Sequence, residues 1–190
     1  MQKLTREEAW NLLCTYNEKP ALRRHALAVE AAMRHFAQLE NEDVEVWGAV
    51  GLLHDLDYEK YPDQHCVKAA ELLRDAGVDE FYIHGVCSHG YGICCDVKPE
   101  SRMEKVLYTI DELTGLINAL CLMRPSKSVL DLEVKSVKKR FKDKSFAAGV
   151  NRQTILDGCQ LLDMTLEDVI QETILGMREN AEEIGLKGNL

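Results

Sequence analysis

Apolar residues recur at three- and four-residue steps along most of this 190-residue chain, a spacing that restricts it to helices packed against one another. Leu22, Val29, Met33 and Phe36 trace one such stripe. Thr5 to Glu8 and Ser101 to Glu104 both read as capping boxes, in which a hydroxyl and a carboxylate exchange hydrogen bonds at a helix start. Pro20 suits the first turn of a helix running to about residue 39. Further helices are expected over about 43–55, over 62–77 with Gly77 as the C-terminal cap, over 79–89, and from 101 to just before Pro125. Two glycines and a proline make 90–100 a loop. Asn151 and Thr165 look like N-caps of the last two helices, with Gly185 ending the final one. No stretch sustains two-residue alternation, so the expectation is an all-α fold with no sheet beyond a stray short pair. Without a linker or repeat, and with too little chain for two good cores, residues 1–190 read as a single domain.

The net charge of −9 argues against nucleic acid as the main partner. The N-terminus lacks a long apolar stretch, and no window approaches the roughly 18 apolar residues that would span a bilayer. A cytoplasmic protein with no membrane partner is therefore expected. The seven cysteines are odd in number and show no C-x-x-C spacing, so most read as small buried apolar residues. The alternative for three of them is a structural zinc site on Cys87, Cys94 and Cys95.

The chemistry concentrates in Val50 to Glu59, VGLLHDLDYE, where an apolar helix runs straight into His54 and Asp55. Buried imidazole and carboxylate groups are costly unless satisfied, and a divalent cation satisfies both. By itself such a pair reads more readily as a helix end making local hydrogen bonds. His25 lies mid-helix beside an apolar stripe, and Asp111 lies mid-helix between Ile110 and Leu113. Aspartate is a poor mid-helix residue, so Asp111 needs a partner. Three helices thus each offer a metal-type ligand near a core face.

The order His25, then His54-Asp55, then Asp111 resembles the H…HD…D signature of HD-superfamily phosphohydrolases, over about residues 20–120. That resemblance implies a helical bundle of the HD-domain type, with a core over about 20–120 and a C-terminal helical extension over about 126–185. It implies one or two divalent metals on His25, His54, Asp55 and Asp111, with Asp55 bridging if both sites fill. Mn, Fe, Co, Ni, Mg and Zn are not distinguished by such a ligand set. The implied activity is phosphohydrolysis of a nucleotide or another small phosphate ester by metal-activated water. His65 and His89 sit where two-metal members carry further ligands, although Ser88-His89-Gly90 lacks the second histidine of the usual doublet. They are expected either as ligands or as contacts to substrate phosphate. Asp57 and Glu59 follow the pair closely, where some members keep a catalytic carboxylate that orients the attacking water or acts as a base.

Lys105 is offered as a phosphate contact. Residues 135–144, with six basic side chains including Lys138 and Lys142, are offered as a rim that attracts an anionic substrate. His35 and His84 read as surface residues. The alternatives kept open are a non-catalytic nucleotide sensor and a di-iron oxygenase on the same fold. A small phosphorylated molecule is the expected partner, and a homodimer stays open.

Overall fold

The Thr5 hydroxyl accepts the Glu8 amide at 3.2 Å and the Glu8 carboxylate accepts the Thr5 amide at 2.8 Å, so the first capping box forms as read. The structure, a computed structural model, describes residues 3–189. Its helices are α1 (Arg6–Tyr16), α2 (Pro20–Glu40), α3 (Val44–Leu53), α4 (Val67–Asp75), α5 (Glu80–Cys87), α6 (Arg102–Met123), α7 (Val134–Lys142), α8 (Arg152–Leu162) and α9 (Leu166–Glu179). Short 3-10 turns occupy Pro62–Gln64 and Ser88–Gly90. Among the described residues the β pairing amounts to one isolated bridge, Tyr91 to Cys95. The fold is all-helical.

Pro20 stands at the head of α2, and Asn151 and Thr165 cap α8 and α9. The long helix α2 is central: α3, α6 and α9 all pack on it, while α8 packs on α6. Gly176 lets α9 come close, since a Cβ there would lie 2.8 Å from the Ala32 Cα. A continuous apolar cluster runs from Ala9 and Leu13 in α1 to Ile174 and Met177 in α9.

Three helix limits differ from the sequence reading. The expected helix over 62–77 is broken, because His65 is extended (ψ 142°) and Cys66 has a positive φ of 67°. His65 therefore precedes α4 instead of opening it. The chain after α5 tightens into the 3-10 turn that carries His89. The last helix stops at Glu179, and Gly185, with a φ of 73°, sits in the turn that follows. The hydropathy reading is also corrected. By length and composition α6 is apolar enough to cross a membrane, with a mean hydropathy of 1.4 over its most apolar window. Most of that window is buried in the core, and the same helix carries Asp111.

Glu30 of α2 has a fully buried carboxylate, which Arg6 engages with two hydrogen bonds of 2.6 and 3.0 Å. Arg34 stands farther off, at 3.7 Å. Arg6→Ala is expected to destabilise the chain by about 3 kcal/mol, the low end for stranding a buried charge, because Arg34 remains to compensate in part. Urea unfolding measures this, and an unchanged midpoint would contradict it.

His35 is largely buried, contrary to its surface reading. Its two ring nitrogens meet Glu172 and Glu179 of α9 at 2.8 Å each, which pins α9 to α2. His84 is half-exposed and pairs with Glu104 at 2.7 Å.

Candidate metal centre

Five segments deliver the polar cluster. His25 projects from α2 and Asp111 from α6, His54 and Asp55 follow α3, and His65 and His89 lie in the short turns flanking α4 and α5. Local hydrogen bonds fix three of the imidazoles. His54 Nδ1 lies 2.8 Å from the Gly51 carbonyl, and His89 Nδ1 lies 2.5 Å from the Val86 carbonyl. His65 Nδ1 lies 2.7 Å from Asp57 Oδ1. Each of these oxygens is an acceptor, so each Nδ1 carries the proton and each Nε2 presents a lone pair.

Those Nε2 atoms, together with that of His25, converge in two sets. In the first, His54 Nε2 lies 3.2 Å from His25 Nε2, 3.3 Å from Asp111 Oδ1 and 3.4 Å from Asp55 Oδ2. His25 Nε2 lies 2.9 Å from Asp111 Oδ1 and 3.7 Å from Asp55 Oδ2. In the second, His65 Nε2 and His89 Nε2 are 3.0 Å apart and stand 3.4 and 3.7 Å from Asp55 Oδ1. Asp55 thus turns one carboxylate oxygen toward each set. Imidazole nitrogens facing one another at these distances need a proton or a cation between them. A cation with metal–nitrogen bonds near 2.0–2.1 Å brings two nitrogen ligands to about 2.9–3.4 Å apart, which brackets both His–His separations. The residues therefore fit a divalent cation.

The electrostatics agree. Burial pushes Asp55 and Asp111 up, but His54 and His25 outweigh it and hold both carboxylates below their usual range. Burial pushes His54 down, yet Asp55 and Asp111 outweigh it and raise the imidazole well above its ordinary value. His65 is raised in the same way, against its burial, by Asp57 and Asp55. His89, buried and beside other imidazoles, is lowered. The cluster demands positive charge at its centre.

The cluster opens into a cavity of about 380 Å³. Its wall includes Tyr58, Ile93, Tyr108, Glu112 and Thr154, none of which the sequence reading singled out, and Cys94, which it weighed only as a zinc ligand. Adjacency was the available signal for two of them, Tyr58 within VGLLHDLDYE and Glu112 beside Asp111. Among the described residues lining the cavity there is no lysine or arginine.

Several expected residues stand elsewhere. Asp57 is fully buried and not exposed to the cavity. One oxygen holds His65 and the other accepts the Ala69 amide at 2.8 Å, so it has no free oxygen to orient water. Glu59 points away and accepts the amides of Glu18 and Lys19 at 2.8 and 3.0 Å. Lys105 is not on the cavity wall, because six residues along a helix do not return to the face of Asp111. Lys138 pairs with Glu167 and, with Lys142, borders a separate surface depression.

The HD domain family profile matches residues 22–140. This chain belongs to the HD domain family. Comparison with curated proteins and with solved structures gave no match. The matched span holds both histidine sets of this HD domain, and the superfamily is one of metal-dependent, hydrolase-type proteins. Residues 141–189, which include α8 and α9, lie beyond it and pack on the HD helices α6 and α2.

With a cation held by the second histidine set, Asp57 would act as a positioning residue through His65. Asp57→Ala is expected to weaken cation binding there by about 10- to 100-fold, as for loss of a hydrogen-bond partner behind a metal ligand. Asp57→Asn keeps an oxygen for His65 Nδ1 and should lose less. Calorimetric titration with Mn²⁺ reads both, and wild-type affinity in Asp57→Ala would refute the role.

Proposed function

We propose that this HD-domain chain is a metal-dependent phosphohydrolase acting on a nucleotide or another small phosphate ester. The observation that carries the reading is the Asp55 carboxylate, with one oxygen toward each histidine set at the floor of an open cavity. His25, His54, Asp111 and Asp55 Oδ2 would hold one divalent cation, and His65, His89 and Asp55 Oδ1 a second. Cations there supply Lewis-acid polarisation of a phosphoryl oxygen and a water of lowered pKa.

The protein's part is orientation. The Gly51 and Val86 carbonyls and Asp57 hold the Nδ1 protons of His54, His89 and His65, which keeps the Nε2 lone pairs aimed inward. Hydroxyls of Tyr58, Tyr108 and Thr154 on the wall can donate to substrate oxygens, and Leu22 and Ile93 make part of that wall apolar. The cysteine sulfurs are not needed for attack, since this hydrolysis uses no covalent nucleophile.

One observation favours a second reading. A wall without lysine or arginine leaves a phosphate's charge to the metals alone, which suits a di-iron oxygenase at the same ligands. A panel of nucleotides and simple phosphate esters, supplied in turn with Mn²⁺, Co²⁺, Ni²⁺, Mg²⁺, Zn²⁺ and Fe²⁺, separates the readings. Release of inorganic phosphate that disappears in His54→Ala is expected. Oxygen consumption with Fe²⁺ and no phosphate release would favour the second reading, and nucleotide binding without turnover would indicate a sensor.

A further inference from the structure

Beside the His65 and His89 pair lies a group of thiols that the proposed hydrolysis leaves unused. Cys66 Sγ and Cys94 Sγ are 3.3 Å apart, and the sulfurs of Cys66, Cys94 and Cys95 all lie within 4.8 Å of one another. They come from two segments, the turn before α4 and the loop after the 3-10 turn Ser88–Gly90. Cys87, one of the three cysteines of the sequence alternative, is not in the trio. Its thiol donates to the Cys66 carbonyl instead.

Three features show the backbone arranged around these sulfurs. Cys66 holds φ 67°, ψ −44°, a conformation costly for any residue with a Cβ and sustained only when its surroundings fix it. Gly90 leaves the room the sulfurs use, since a Cβ there would lie 2.4 Å from Cys94 Sγ and 2.5 Å from Cys66 Sγ. The amides of Ile93, Cys94 and Cys95 all donate to the Gly90 carbonyl, a tight loop that turns two consecutive cysteines to one side. Neighbouring side chains on extended backbone would point apart. Cys66 is buried, whereas Cys94 and Cys95 are partly exposed, so solvent ions reach the trio.

We propose that Cys66, Cys94 and Cys95 form a thiolate site for one soft divalent cation, of which Zn²⁺ is the type, separate from the His/Asp centre. Zinc–sulfur bonds of about 2.3 Å in a tetrahedral site put the sulfurs about 3.8 Å apart, under the 4.8 Å that bounds the trio and a little beyond the 3.3 Å between Cys66 and Cys94. The cation displaces the thiol protons to solvent, and no oxidant or reductant takes part. Because Cys66 follows His65 and Gly90 follows His89, a cation here ties both histidines to the loop that carries Ile93 and Cys94 on the cavity wall.

The test uses the full chain, reduced and stripped of metal, titrated with Co²⁺. Thiolate ligation gives intense near-ultraviolet sulfur-to-cobalt absorption, which His/Asp ligation does not. The expected result is a band whose limiting amplitude corresponds to one cobalt per chain, which is displaced by Zn²⁺ and persists in His54→Ala. Cys94→Ser and Cys95→Ser should each weaken that binding by more than about tenfold, with helical circular dichroism unchanged. No band in the wild type would overturn the proposal. So would a band of wild-type strength in the Cys94→Ser/Cys95→Ser double variant. A band lost in His89→Ala but kept in Cys95→Ser would overturn it too, by placing Cys66 with the histidines. Ready formation of a Cys66–Cys94 disulfide by peroxide, in a chain that binds no cobalt through sulfur, would make the trio a redox pair instead.

Discussion

Asp55→Ala is expected to remove both cations and to abolish turnover in one substitution. Its carboxylate is the one group whose two oxygens face the two histidine sets, 3.4 Å from His54 Nε2 on one side and 3.4 Å from His65 Nε2 on the other. Loss of a direct ligand should exceed the roughly 10- to 100-fold cost of losing a supporting residue, and here each set loses one. The helices should survive, because Asp55 is partly exposed at the cavity floor and packs no apolar core. His54→Ala breaks the first set alone, so it should lose that cation and turnover while the second set keeps its own ligands. Metal content by elemental analysis, phosphate release and far-ultraviolet circular dichroism check all three points. An Asp55→Ala protein that retains two cations and turns over substrate would show that the centre is misassigned.

The double variant His65→Ala/His89→Ala is expected to drop cation stoichiometry from two per chain to one. The first set shares only Asp55 with the second, and Asp55 Oδ2 does not depend on His65 or His89. Phosphate release should fall by more than the 100-fold upper end for supporting residues. Titration to saturation with Mn²⁺ measures the stoichiometry. A wild-type value of one would make these histidines contacts to substrate and leave the bridging arrangement without support.

The parts of this centre that were legible in the sequence are those set by local rules. Capping boxes and the Pro20 start depend on neighbours a few residues away, and they form as read. His25, His54, Asp55 and Asp111 stand out because polar ligands in apolar helices need partners, and the fold brings the other three within 3.4 Å of His54 Nε2. What failed depends on direction in space. Asp57 and Glu59 follow the His-Asp pair at steps that leave their orientation open. The turn between α3 and the 3-10 segment sends one beneath His65 and the other to the head of α2. The break at Cys66 was invisible because a positive φ at a cysteine has no sequence signal, unlike one at glycine. The lysines were judged by charge alone, and charge does not say which face of the fold a helix turns to the cavity.

Crystals soaked in Mn²⁺ and measured for anomalous scattering test the central claim most directly. Two peaks are predicted, one among His25, His54, Asp111 and Asp55 Oδ2, and one among His65, His89 and Asp55 Oδ1. A cavity with no peak at either position would contradict the account.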